Sequence, residues 1–226
     1  MRSSRRIVSA SLPFTLEKQK EDTCFTTAVG PPIKTYIFNH EGDGLFDHYA
    51  EETIKAIQHA QHSAIDLSLH NRVLIVVPDE DFKEKLEVPL KAKLDEGRCI
   101  TTDANTSDTK TTSFDLISAA QAARCVDASG LQVTSCILCA WSLFEGALVF
   151  IKLRWQDKKE QIVLDALREA DGLERLFCIC VGLDAVKNDD NDQAALVRSM
   201  LYRGLTRAQM MAMIVNQVLP SCLCNN

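Results

Sequence analysis

Two arginines four residues apart, Arg203 and Arg207, are the side chains of this sequence best suited to chemistry. A guanidinium is always charged and presents a planar fork of donors that matches phosphate oxygens, so it can stabilise a transferring phosphoryl group. Residues four apart lie on one side of a helix, and this segment runs directly into the apolar run 210–215. The spacing predicts two guanidinium groups at a sheet edge. Alternatively, both arginines solvate an exposed helix face or pair with the acidic residues of segment 189–192.

Other spacings predict no metal or nucleophilic site. Cys136 and Cys139 have the two-residue separation of a zinc or redox pair, but no second pair stands at a matching distance and their neighbours are apolar. His59 and His62 lie three apart on a predicted helix without an acidic motif beside them, which favours exposed helix positions. No spacing selects a Ser/His/Asp or Cys/His catalytic set.

Productive binding of ATP with Mg²⁺ requires a phosphate-binding loop and a neighbouring acidic strand end. The pattern G-x-x-x-x-G-K-[ST] does not occur in the sequence, and no acidic pair of the D-E type stands where it could hold magnesium beside such a loop. We therefore expect that this chain cannot bind and hydrolyse ATP by itself.

Composition is that of one globular domain inside the cell. The chain has 226 residues, 46% of them hydrophobic and 25% charged, enough to bury a core. Its net charge of −6 is unlike the basic surface that binds nucleic acid without sequence preference, so any such contact must be local. The nine cysteines are odd in number and several lie in apolar runs. This pattern predicts reduced, buried thiols in an intracellular protein of the cytoplasm or nucleus.

One apolar stretch, Leu131 to Leu153, is long enough for a membrane span of about 20 residues. Glu145 lies near its middle, where a charge costs roughly 2.5 kcal/mol or more on insertion. A buried strand pair or an irregular insertion is the better interpretation, and we predict no membrane partner.

The elements that must position the arginines follow from periodicity. Residues 1–30 are polar without a sustained period and predict a tail, so the domain should cover 31–226 with an irregular insertion at about 100–155. A helix bent or interrupted at Pro89 is expected over 82–94. Alternating strands and helices predict an α/β fold with a central, mostly parallel sheet. The predicted strands are 35–39, 72–77, 161–164, 176–183 and 210–215, and the other helices are 49–60 and 193–206.

Three segments resemble motifs of the superfamily 1 helicases of the UvrD/Rep type, and they occur along the chain in the same order as in that family. Tyr202-Arg-Gly-Leu-Thr-Arg-Ala208 before an apolar strand resembles their motif VI, "Y-x-A-x-T-R-A", with Gly204 where alanine is usual. Asp171-Gly-Leu-Glu-Arg175 between two apolar strands is similar to the "K-G-L-E-F" element of motif V. Segment 71–94 is similar to the strand and helix of motif IV. The resemblance is spread from roughly Gly30 to Asn216, which is most of the length of the chain.

The resemblance implies the second, C-terminal RecA-like domain of such a helicase. Its fold would be of the P-loop NTPase type, lacking the half that carries the Walker A loop. By resemblance, Arg207 would be the catalytic arginine finger, and the nucleotide would be contacted by Gly172, Glu174, Arg203 and Thr206. ATP with Mg²⁺ would be held by a first RecA-like domain, in cis or in trans, and single-stranded nucleic acid would be the track.

Departures from the family's pattern favour a different class of function. The family places an arginine before the glycine at the domain entry, where this chain has Thr27-Ala-Val-Gly30. The threonine and histidine expected upstream in motif V are Ala166 and Arg168. The alternative is a catalytically degenerate pseudo-helicase, which keeps the fold as an interaction module of a larger protein.

Overall fold

The computed structural model describes residues 3–15, 28–40, 42–63, 68–96, 99–101, 110–112, 114–124, 160–184 and 191–217. Their strands are β1 (Lys34–Phe38), β2 (Val73–Val77), β3 (Cys99–Thr101), β4 (Lys110–Thr112), β5 (Phe114–Ile117), β6 (Glu160–Ala166), β7 (Arg175–Val181) and β8 (Ala208–Gln217). Six of them form one sheet in the order β1-β8-β7-β2-β6-β5, with every neighbouring pair parallel. Strands β3 and β4 form a separate antiparallel pair.

The central strands are those whose sequences are apolar on both faces. All five residues of β2, VLIVV, are buried, and five of the seven residues of β7 are buried as well. Strands covered on both faces read as continuous runs of β-branched and other apolar residues, and this sheet is covered on both faces by helices. The predicted α/β fold with a central parallel sheet is confirmed, and its topology is consistent with the RecA-like class.

The helices of the described part that cover the sheet include α1 (Arg5–Ser11), α2 (Leu45–Ser63), α3 (Glu80–Glu96) and α4 (Asn191–Leu205). Helices α2 and α3 pack on one face, and α1 and α4 pack on the other. Helix α3 runs through Pro89 as a single helix, so it is not interrupted there. Leu86 and Leu90, on either side of the proline, are fully buried against the sheet and hold both halves of the helix in place.

The predicted polar tail is wrong for residues 3–15. Ile7 of α1 is fully buried on the α1–α4 face, the Ser4 backbone N–H donates to the Gln209 carbonyl at 2.9 Å, and the Ser4 hydroxyl donates to the Met210 carbonyl at 3.3 Å. Arg5 N–H donates to the carbonyl of Ala28 at 3.0 Å. A helix of seven residues with one apolar anchor leaves no sustained period, which is why the sequence pattern missed it.

The predicted insertion at about 100–155 contains an edge strand of the sheet. Strand β5 pairs in parallel with β6, and residues 119–124 are helical. Phe114 and Leu116 are buried while Asp115 between them is exposed, so the alternation is too short to stand out in polar surroundings. Residues 125–159, which hold Leu131 to Leu153 and the Cys136 pair, lie outside the described part of the chain. No helix in the described part is long and apolar enough to cross a membrane.

Candidate functional site

The first part of the candidate site is the short crossover between β6 and β7. Strand β2 lies between these two strands, and residues 167–174 cross it on the α1–α4 face. A parallel crossover usually needs about a dozen residues or more, so this loop must lie tightly on the sheet. Leu167 and Ala170 are buried in the core of that face, and the Leu167 N–H donates to the Val77 carbonyl at 2.8 Å. The crossover carries Asp171 from the carboxyl end of β6 to the amino end of β7.

Gly172 turns the chain from this crossover into β7. Its φ of +82° lies in the left-handed region that glycine adopts without a steric penalty. Leu173, which follows, packs against the apolar core of the α1–α4 face. The loop is therefore anchored on both sides of Asp171 and Gly172, which are themselves exposed.

The turn between α4 and β8 positions the two arginines. Helix α4 ends at Leu205, and the Thr206 hydroxyl lies within donating distance of the carbonyls of Tyr202 (2.9 Å) and Arg203 (3.1 Å). The Arg207 N–H donates to the Gly204 carbonyl at 3.1 Å. The structure thus engages Thr206 in ending the helix, and its predicted contact with a nucleotide stays a prediction.

Asp171 joins the two segments. One carboxylate oxygen, Oδ1, accepts from Arg207 Nη2 at 2.8 Å, and the other, Oδ2, accepts from Arg203 Nη2. The side chains of Arg207, Arg203 and Asp171 are 19%, 38% and 49% exposed, so the cluster lies at the surface. Residues 185–190 lie outside the described part, so the alternative pairing with segment 189–192 is not tested. The structure brings both arginines to the segment that resembles motif V.

Glu174 ties the start of β7 to the start of β8. Its Oε2 accepts from Gln209 Nε2 at 3.3 Å, and the backbone N–H of Arg175 donates to the Arg207 carbonyl at 3.1 Å. All five predicted site residues therefore lie at the amino-terminal edge of β7 and β8 or in the loops that lead into it: Gly172, Glu174, Arg203, Thr206 and Arg207.

Two further arginines at this edge were not predicted. Arg72 and Arg175 stand at the starts of β2 and β7, and Arg175 Nη2 donates to Asn71 Oδ1 at 3.0 Å. Burial lowers the pKa of Arg175. Among the described residues, Arg72 Nη1, Arg175 Nε and Arg207 Nε are buried without an acceptor. Each of these two arginines stands directly before an apolar run in the sequence, and this position is the signal from which they could have been predicted. The edge therefore carries positive charge with unused donors.

Close packing explains the glycine in the segment that resembles motif VI. A Cβ on Gly204 would lie 2.9 Å from both Cys180 Sγ and Leu183 Cδ1. The Cys178 thiol lies 3.4 Å from the Gly204 carbonyl, and both cysteines are buried and free, as the sequence predicted. Helix α4 thus packs directly on β7, and the contact leaves no space for a methyl group at residue 204.

A second polar cluster lies at the opposite, carboxyl-terminal edge of the sheet. Asp165 of β6 is 3% exposed and accepts from Lys83 Nζ at 2.8 Å, from Ala119 N–H at 2.8 Å and from Ala166 N–H at 3.0 Å. It lines an open cleft of about 770 Å³ that includes Glu80 and Glu169 and extends along the crossover to Asp171 and Gly172. Lys83 is the single cation among the residues that line this cleft, so the cleft is acidic and suits nucleic acid poorly.

The structure also describes the two residues that differ from the motif V pattern of the superfamily 1 helicases. Ala166 is buried at the end of β6, and Arg168 is exposed on the crossover. Neither offers the hydroxyl or imidazole that the family's pattern has there. Thr27 lies outside the described residues. No group of three or more His, Cys, Asp or Glu side chains in the described part could hold a metal ion.

Comparisons with known proteins find similarity among solved structures. No protein-family model matches the chain, and no curated protein matches it significantly. A solved structure described as the C-terminal domain of a possible DNA helicase from Lactobacillus plantarum WCFS1 is similar at 13% sequence identity and a TM-score of 0.48. The match covers 100% of this chain and 93% of that one.

Proposed function

We propose that this chain is the second motor domain of an ATP-dependent nucleic-acid helicase and supplies Arg207 as an arginine finger to ATP bound on a first RecA-like domain. The observation that carries the proposal is the contact between the two segments that resemble motifs V and VI. Asp171 accepts hydrogen bonds from both Arg203 and Arg207, so two distant parts of the sequence meet at one edge of the sheet.

The position of Arg207 supports the role of an arginine finger. Its backbone is fixed by the end of α4 and by the pairing of β7 with β8, while its guanidinium reaches the surface. A charge presented from a rigid edge can stabilise the oxygens of a transferring phosphoryl group without reorganisation. Arg203 adds a second positive charge beside it. By resemblance, Gly172 and Glu174 face the nucleotide.

ATP and Mg²⁺ would be held by the partner domain, in cis or in trans. The sequence has no phosphate-binding loop, and the arginines fit the phosphate groups rather than the metal ion. When bound there, ATP supplies the phosphoryl group whose transfer to water releases energy. Closure of this domain over the nucleotide would drive movement along a single strand, with any contact to the strand being local because the chain is acidic.

A catalytically degenerate interaction module is the second candidate, and specific observations favour it. The carboxylate of Asp171 already engages both arginines, and Ala166 and Arg168 remove two polar groups of the motif V pattern. In this case the parallel sheet would serve as a scaffold for a protein partner, and nucleotide chemistry would be lost.

ATP hydrolysis by the chain joined to, or mixed with, a domain that carries a phosphate-binding loop tests the proposal. We expect hydrolysis that single-stranded DNA stimulates and that Arg207→Ala lowers by about 10³-fold, the lower range for loss of an arginine finger. Arg198→Ala is the matched control because it removes an exposed arginine from α4, the helix that precedes Arg207. Equal hydrolysis by Arg207→Ala and Arg198→Ala, or none in any protein, would support the interaction module.

A further inference from the structure

We propose that Asp171 is an internal competitor for phosphate: its carboxylate occupies the position between Arg203 and Arg207 that a phosphate group of a nucleotide would take. The ligand class, a nucleotide polyphosphate, rests on the proposed function. The competition itself rests on the contacts of Asp171.

The contacts are those of an anion in a guanidinium site. Each carboxylate oxygen accepts from a different arginine, Oδ1 from Arg207 and Oδ2 from Arg203. Carboxylates and phosphates are bound by the same fork of guanidinium donors, so the two anions compete for the same groups. An exposed ion pair is weak, and about half of the Asp171 side chain is exposed, so a multiply charged ligand can displace it.

The backbone delivers this carboxylate to the arginines and leaves it room to move. Ala170 before it is fully buried, and Gly172 after it holds the turn into β7. Asp171 itself projects from the surface between these two anchors. Rotation of one side chain, without movement of the loop, would open the site.

The surrounding edge is positive once Asp171 has moved. Arg72 and Arg175 stand at the starts of the neighbouring strands, and Arg72, Arg175 and Arg207 each hold a buried N–H without an acceptor in the described part of the chain. The nearby carboxylate of Glu174 bonds to Gln209 instead. Displacing Asp171 would therefore free the guanidinium groups of Arg203 and Arg207, at an edge that carries two further arginines.

The identity of residue 171 also points to competition. The family element that this segment resembles has lysine directly before the glycine, where this chain has aspartate. At this position the chain thus has a negative charge beside Arg203 and Arg207. An uncharged residue at position 171 would leave both arginines free, whereas the carboxylate of Asp171 engages them.

Calorimetric titration of the 226-residue chain with inorganic triphosphate tests the proposal. Asp171→Asn removes the charge at nearly constant shape, and Glu169→Gln, on the same loop and exposed, removes an equal charge that contacts neither arginine. Two unit charges 4 Å apart in water change affinity roughly fivefold, and triphosphate carries several charges. We expect Asp171→Asn to bind triphosphate about tenfold more tightly than the unaltered chain, and Glu169→Gln to stay within about twofold of it.

Further variants separate the possible outcomes. Asp171→Ala should gain affinity as Asp171→Asn does, and adding Arg207→Ala to either variant should abolish the gain. Unchanged or weaker binding by both Asp171 variants, or an equal gain in Glu169→Gln, would overturn the proposal. In the unaltered chain, triphosphate should shift the nuclear magnetic resonance signals of the Arg203 and Arg207 side chains, whatever the stability of the variants, and unshifted signals would overturn it too.

The source of the phosphate and the link to the proposed function are tested in the same series. A gain for ATP and triphosphate, but not for single-stranded DNA, assigns the site to nucleotide phosphates, whereas a gain for DNA alone would overturn that assignment. If Arg207→Ala abolishes ATP hydrolysis while Asp171→Asn gains no affinity, only the competitor inference fails. If Asp171→Asn gains affinity while Arg207→Ala still hydrolyses ATP, only the proposed function fails.

Discussion

Replacing Gly182 by alanine should destabilise the chain by about 2–5 kcal/mol, because two separate penalties meet at this residue. Gly182 directly follows β7 with a φ of +64°, and a left-handed conformation costs a residue with a side chain roughly 1–2 kcal/mol. An added Cβ would also lie 2.4 Å from Cζ and 2.7 Å from Cε2 of the Phe82 ring. That ring is in edge contact with Phe46 and Tyr49, so moving it disturbs the core, at a typical cost of about 1–3 kcal/mol.

Urea unfolding of Gly182→Ala beside Gly172→Ala separates the two penalties. Gly172 has a similar φ of +82° but no atom within 4 Å of an added Cβ, so its replacement reports the backbone penalty alone, about 1–2 kcal/mol. The difference between the two variants, about 1–3 kcal/mol, is the effect of the clash with Phe82. Equal free energies of unfolding for the two variants would refute the packing of Phe82 against the end of β7.

Two carboxyl groups, one buried and one partly buried, give further predictions. Asp165→Ala should lower the free energy of unfolding by about 2–4 kcal/mol, since it removes the acceptor of the Ala119 N–H and leaves the Lys83 ammonium with only the exposed Glu80 as a partner among the described residues. Asp115→Ala, exposed on the neighbouring β5, should change it by less than about 0.5 kcal/mol, and equal losses in urea unfolding would contradict the buried pair. Burial raises the pKa of Asp184 in the folded chain, so its stability contribution is present below the unfolded pKa, near 3.8, and is lost as pH rises through the folded pKa. Asp184→Asn should therefore raise the thermal midpoint at pH 7, with the gain vanishing below about pH 4; a lower midpoint at pH 7 would contradict this.

The sequence correctly predicts the elements whose characteristic pattern of apolar residues lies within a single segment. Strand β2 is a continuous β-branched run because both of its faces are buried, and α2 shows its helical period directly. Strand β5 and helix α1 are short and are stabilised by contacts with distant segments, such as the bond from Ser4 to Gln209. A local sequence pattern does not reveal contacts between distant segments.

The residues of the candidate site also form two groups, those that a local pattern predicts and those that contacts between distant segments bring together. Arg203 and Arg207 are predicted by their spacing and by the resemblance, because both properties are local. Their shared partner, Asp171, lies 32 and 36 residues away, and the contact depends on how the crossover runs over β2. Arg72 and Arg175 join the edge only because their strands are neighbours in the sheet, an order that differs from the order in the sequence.

The most direct test of the central claim compares a transition-state analogue with a ground-state ligand. The chain, assembled with a domain that carries a phosphate-binding loop, is titrated with ADP alone and with ADP plus aluminium fluoride, which mimics the transferring phosphoryl group. If Arg207 acts as a finger, Arg207→Ala will weaken binding of the analogue by about 10³-fold and leave ADP binding nearly unchanged. Equal affinity of Arg207→Ala and the unaltered chain for the analogue would contradict the claim that Arg207 reaches the phosphate.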